Sequence, residues 1–192
     1  MKMAKKFLAV ALAGVLALSV LTGCGNSVKS KDIADSLNKM GVKVELSKEV
    51  DETAEKTLKA IETIIAADSA NKITLDNAVE KVTGKVISQE HIDSNTDAAN
   101  AVQKALGVFA NGSDAEKANV GKQIRVALVK TENATKDASL QAAIAKDALV
   151  EAQAATVDAS KQKIAETGKL GTATTKDGKY MLVVIVNDVV AK

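Results

Sequence analysis

The chain has 192 residues, with 26 lysines and arginines against 24 acids, one histidine, one cysteine, no tryptophan and no proline. A single cysteine excludes internal disulfides, and a lone histidine excludes the clustered His and Cys ligands of a zinc site. The near balance of charge gives no argument for an electrostatic grip on nucleic acid or on anionic lipid.

Lys2, Lys5 and Lys6 precede Phe7 to Val20, a stretch without charge, which is the n-region and h-region order of a secretory signal. A membrane-spanning helix needs about 20 apolar residues, and this shorter stretch ends in small ones. Leu21-Thr22-Gly23-Cys24 follows. In these residues the chain resembles the bacterial lipoprotein precursors, whose cleavage motif is Leu, a small or hydroxyl residue, Gly or Ala, then Cys. The resemblance implies that residues 1–23 are a signal peptide cut off between Gly23 and Cys24. It further implies that the Cys24 thiol carries diacylglycerol, with palmitate-type chains holding the protein to membrane lipid. Each buried CH₂ contributes about 0.8 kcal/mol, so two long chains anchor persistently. The expected location is the extracytoplasmic side of the cell membrane. Gly25 is not the aspartate that retains lipoproteins in the inner membrane of two-membrane bacteria, and the lack of disulfides favours a single-membrane cell.

Without residues 1–23 the chain keeps 169 residues, enough for one core, and the loss of three lysines takes its formal charge from +2 to −1. Residues 24–30 are expected to be the lipidated cysteine and a short polar tether. The expected fold for residues 31–192 is a single α+β domain, mostly α, with a small antiparallel sheet that includes a C-terminal β-hairpin.

A short helix opens at Ser30 or Lys31, carries Ile33 and Leu37, and closes at Gly41; Val42 to Leu46 alternates as a half-buried strand does. Ser47 is a plausible N-cap for a long helix with Val50, Ala54, Leu58, Ile61 and Ile65 on one face, and Asp51 and Glu52 suit its dipole. A shorter helix is expected from Thr74 to Gly84, and a brief strand or loop from Lys85 to Asn95. Thr96 to Phe109 reads as a helix stopped by Asn111-Gly112, with Phe109 in the core. Ser113 to Glu116 is a capping box, and the helix it opens has Val120, Ile124 and Leu128 on one face and Val126 and Val129 on the other. Thr135 to Thr167 is alanine-rich and free of glycine, which predicts one long helix ended by Gly168, or two if Thr156-Val157-Asp158 caps a second. Asp177-Gly178 between apolar runs predicts a hairpin with a two-residue turn. Met181 to Val186 is apolar at every position, which predicts an interior strand, with Val42 to Leu46 as a candidate neighbour.

The search for chemistry gives no catalytic residue, no cofactor-binding residue and no metal ligand. A serine triad is possible only through His91, which lies among Glu90, Asp93 and Ser94 in a polar stretch. Ser-x-x-Lys occurs at Ser36, Ser69 and Ser160, yet the companion motifs of the penicillin-binding enzymes are absent. No calcium or phosphate loop appears, and Phe109 and Tyr180 are too few for a sugar or single-strand nucleic-acid platform.

The expected function is a membrane-anchored, non-enzymatic binding or structural domain at the cell envelope, with an envelope protein or wall component as partner. The alternative is a solute-binding lipoprotein of a transporter, which usually has two α/β lobes. A further alternative is a cell-wall enzyme: Leu170 to Val186 looks like the last strands of the secreted CAP domains, whose histidine and glutamate motifs are missing here.

Overall fold

Tyr180–Asn187 is buried along its whole length, and a strand apolar from Met181 to Val186 can be so only if both faces of its sheet are covered. A computed structural model describes residues 28–67, 75, 96–131 and 136–192, and in it both faces are covered by helices. In chain order the described elements are α1 (Ser30–Lys39), β1 (Val44–Leu46), α2 (Lys48–Ala67), α3 (Thr96–Leu106), β2 (Gln123–Lys130), α4 (Ala138–Ala148), β3 (Val150–Gln153), β4 (Gln162–Ile164), β5 (Gly168–Thr174), β6 (Tyr180–Asn187) and β7 (Val189–Ala191).

Five strands form one sheet in the order β1-β5-β6-β2-β3, and β4 pairs with β7 in a separate ribbon. Only the β1–β5 pair is parallel; β6 runs antiparallel to both of its neighbours, β5 and β2. Ile124, Val126 and Leu128 of β2 and Leu182, Val184 and Val186 of β6 point to one face, under Val50, Ala54, Leu58 and Ile61 of α2 and Val102 and Leu106 of α3. Ala127, Val129, Met181, Val183 and Ile185 point to the other, under Ile33, Ala34 and Leu37 of α1 and Ala142 and Ala145 of α4. The result is three layers, helices on a mixed sheet on helices.

The expectation of a mostly α domain is therefore corrected. Among the described residues 37% are helical and 28% are in strands, with a five-stranded sheet at the centre. Two segments account for the difference. Gln123–Lys130 is a strand rather than a central helix. Residues 135–167 do not form one helix: α4 ends at Ala148, β3 and β4 follow, and Gly168 opens β5 instead of ending a helix.

Other expectations are met or refined. Gly41 closes α1, with its N–H and that of Val42 donating to Asn38 and Leu37. The same pattern at Gly107 and Val108 ends α3 before Phe109, which is half-buried under the Lys104 ammonium, 5.0 Å from its ring centre, and is not a core residue. Glu116 does reach back to the Ser113 N–H at 2.8 Å, but turns follow the box instead of a helix. The strand at Val44–Leu46 forms and neighbours β5 rather than β6. Of the helix expected at Thr74 to Gly84 only Leu75 is described, helical and packed against the core on the α2/α3 side of the sheet; the stretch from Lys85 to Asn95 lies outside the described residues.

The hairpin is present, with a longer turn than the two residues expected. Thr175 N–H donates to Tyr180 O, so Lys176 to Lys179 form the connection, and Gly178 N–H donates back to Thr175 O. Gly178 sits at φ +72° with open space where a side chain would go. The cost of substitution there is purely conformational. Gly178→Val is expected to lower stability by roughly 1–2 kcal/mol, read as a fall in the midpoint of chemical denaturation with an unchanged slope.

Candidate functional site

The first described residues, Val28 to Ser30, fall within the expected tether of residues 24–30 and make specific contacts with the body. Val28 is half-buried against the α1/α4 side of the sheet. Two residues on, the Ser30 and Thr172 hydroxyls are 2.7 Å apart, and Ser30 Oγ also donates to Asp51 Oδ1 at 3.3 Å. Asp51 Oδ1 accepts the Thr172 N–H at 2.9 Å. The sheet explains why this carboxylate is needed. Strand β1 stops at Leu46, and Ser47 N–H still bonds Leu170 O, but the next donor on that edge of β5 is the Thr172 N–H. Asp51, one turn into α2, takes the place of the missing strand.

Burial raises the Asp51 pKa above the ordinary carboxylate value, and the hydrogen bonds from Thr172 and Ser30 oppose that shift without cancelling it. A raised native pKa means that the native state holds the proton more tightly than the unfolded chain does. Asp51 therefore favours folding most at low pH, and that contribution is lost as pH rises through its folded pKa. An amide keeps an acceptor for Thr172 and carries no charge to desolvate. Asp51→Asn is expected to melt at or above the wild-type temperature near neutral pH, with the difference shrinking toward about pH 3. Asp51→Ala, which orphans the Thr172 N–H, is expected to cost about 1–3 kcal/mol at any pH.

The opposite end of the sheet carries two polar groups of side chains, one on each face. On the α2 side Asp188 lies between Lys169 Nζ at 2.8 Å and Lys122 Nζ at 3.3 Å. The Lys169 bond leads in holding the Asp188 carboxyl below its usual range. On the α4 side Arg125 Nη2 donates to Asn187 Oδ1 at 3.2 Å, and buried Asn187 donates to Ala165 O at 2.9 Å. Arg125 Nε is buried without a partner. Desolvation lowers the Arg125 pKa, and Glu151, opposite it on β3, acts the other way. These groups join strands and the loops beside them; they place no nucleophile beside a base.

Of the residues singled out from the sequence, Cys24, His91, Ser69 and Lys72 lie outside the described residues. Ser36 is buried on α1 while Lys39 is exposed, and the exposed Ser160 bonds Asp158 at 2.6 Å, so these two Ser-x-x-Lys spacings do not show an assembled pair. Among the described residues no three His, Cys, Asp or Glu side chains converge as a metal site would need, and no helix is long and apolar enough to cross a membrane.

The fold thus defines a three-layer α/β/α protein on a mixed five-stranded sheet, with a specifically bonded junction where the chain enters the body. No family model, curated protein or solved structure matches the chain.

Proposed function

We propose that the protein is a lipid-anchored, extracytoplasmic protein of the cell envelope whose folded body binds or positions an envelope partner rather than catalysing a reaction. The observation that carries this reading is Leu21-Thr22-Gly23-Cys24, placed behind a charged and then an apolar stretch and four residues ahead of Val28, the first described residue. The tether is long enough to free Cys24 for acylation and short enough to keep the body at the membrane. The shortage of histidine and cysteine leaves few routes to nucleophilic or metal chemistry, which supports a binding role.

The reading is tested by growing cells that express the whole chain with an alkyne-bearing fatty acid. The expected product is a membrane protein labelled on an N-terminal peptide that begins at Cys24 and has the mass of its acyl chains. An unlabelled chain recovered in the soluble extract would overturn the proposal.

A further inference from the structure

Arg125 is the only arginine in the chain; the other 25 basic residues are lysines. It stands half-buried on the interior strand β2, on the sheet face that α1 and α4 cover. Lysine carries the same charge, so what arginine adds here is a planar fork of donors that stays protonated when partly buried. Two neighbours hold that fork in place. A Cβ at Gly168 would stand 2.5 Å from Ile185 Cγ2 and 3.0 and 3.1 Å from the amide atoms of Asn187, so the missing side chain makes room for Asn187. Asn187 Nδ2 donates to Ala165 O at 2.9 Å, which turns its Oδ1 toward Arg125, and that oxygen accepts from Arg125 Nη2 at 3.2 Å.

The fork so placed has little to bind. Asn187 is its hydrogen-bond partner among the described residues, Nε is buried without one, and Nη1 keeps access to solvent. Among the described residues no carboxylate forms an ion pair with it. Glu151, across from it on β3, is exposed, and its Oε2 accepts from Gln123 Nε2 at 2.8 Å, so it acts on Arg125 through its field alone. Partly buried charges are normally paired, and a guanidinium held by one neutral amide is left with most of its lost hydration uncompensated.

We propose that Arg125 anchors a binding site for an organic carboxylate, which lies end-on across Nη1 and the second hydrogen of Nη2 in two parallel N–H···O bonds. Lysines at this end of the sheet are committed elsewhere, Lys122 and Lys169 to Asp188 on the other face and Lys43 to Glu166. A lone guanidinium with Glu151 opposite suits a planar, singly charged carboxylate better than a phosphate dianion. Asn187 is then a positioning residue, and Glu151 a brake on affinity. The site gives the binding role a ligand class; it rests on the reading of the body as a binding domain and not on the lipid anchor.

A single arginine makes the test direct. The whole chain, processed in cells and purified in detergent, is labelled with nitrogen-15 in arginine alone, so that one Nε–H signal reports Arg125 without overlap. Sodium acetate or sodium dimethyl phosphate then replaces sodium chloride at a constant ionic strength of about 0.5 M, which holds screening fixed. The expected result is a shift that saturates with acetate. Glu151→Gln, at an exposed position, is expected to tighten that response about twofold or more. Arg125→Lys keeps the charge and loses the fork, and is expected to lose the rise in melting temperature that acetate gives the wild type. No shift, or one that grows without saturating, overturns the site and leaves the anchored, binding reading standing. Tighter saturation by dimethyl phosphate overturns the carboxylate in favour of a phosphodiester. An acetate affinity unchanged in Glu151→Gln, or a melting rise kept by Arg125→Lys, puts the bound anion elsewhere and overturns the site as well. Unacylated protein that still binds acetate supports the site and overturns the anchor alone.

Discussion

Gly171→Ala is expected to destabilise the protein by about 3 kcal/mol or more, although it adds a single methyl group. A Cβ at position 171 would stand 2.1 Å from the carbonyl carbon of Val50, 2.2 Å from the Asp51 nitrogen and 2.3 Å from the Val50 oxygen. All three atoms are helix backbone, so no rotamer change relieves the overlap, and α2 must lift from β5. That movement also pulls Asp51 from the Thr172 N–H and from Ser30, linking the damage to the point where the tether enters the fold. The comparison with Gly178→Val separates two reasons for glycine. At 178 the space is open and only the backbone conformation resists, whereas at 171 the backbone conformation is ordinary and the space is absent. Equilibrium denaturation of both variants checks this: Gly171→Ala should lose more, although its side chain is smaller. Equal losses, or a mild effect at 171, would mean that α2 does not press on β5.

The elements legible in the sequence were those whose partners are close along the chain. The hairpin was visible because Asp177-Gly178 and its flanking strands are adjacent, and α1 because Gly41 ends it with local hydrogen bonds. The central strand β2 was misread for a physical reason. Ile124 and Leu128 are four apart, Val126 and Val129 three apart, and a strand buried on both faces satisfies helical spacing as well as strand spacing. The usable clue was the β-branched content of Ile124, Val126 and Val129, which the helical capping box at Ser113 to Glu116 outweighed. In 135–167 alanine favours helix by propensity, and no glycine or proline marks the break after Ala148. What ends the helix is the open edge of β2, which Val150–Gln153 fills. The bonded junction was legible least. Asp51 read as a helix-dipole carboxylate, and nothing local could show that its partner, Thr172, lies 121 residues away.

If the proposed lipid anchor is right, Cys24→Ser is expected to abolish acylation and, once residues 1–23 are also removed, membrane attachment, while leaving the body unchanged. Serine lacks the thiol to which the proposed anchor would join diacylglycerol, so acylation and the cleavage that follows it should fail together. Among the described residues no helix is long and apolar enough to cross a membrane. The first described contacts of the body are made by Val28, Ser30 and their partners, downstream of position 24, and none of them involves the sulfur. Circular dichroism and melting of a Cys24→Ser chain from which residues 1–23 have been removed should therefore match those of the wild-type mature protein released from membranes in detergent. Fractionation in high salt, which strips peripheral electrostatic binders, gives the other half of the result. Wild-type protein should stay with the membrane and carry fatty-acid label, while the full-length variant should lose the label, and its truncated form should remain in the wash. A truncated variant that stays bound would mean that the body itself holds the envelope through a partner, and an unlabelled wild type would mean that the chain is secreted without an anchor.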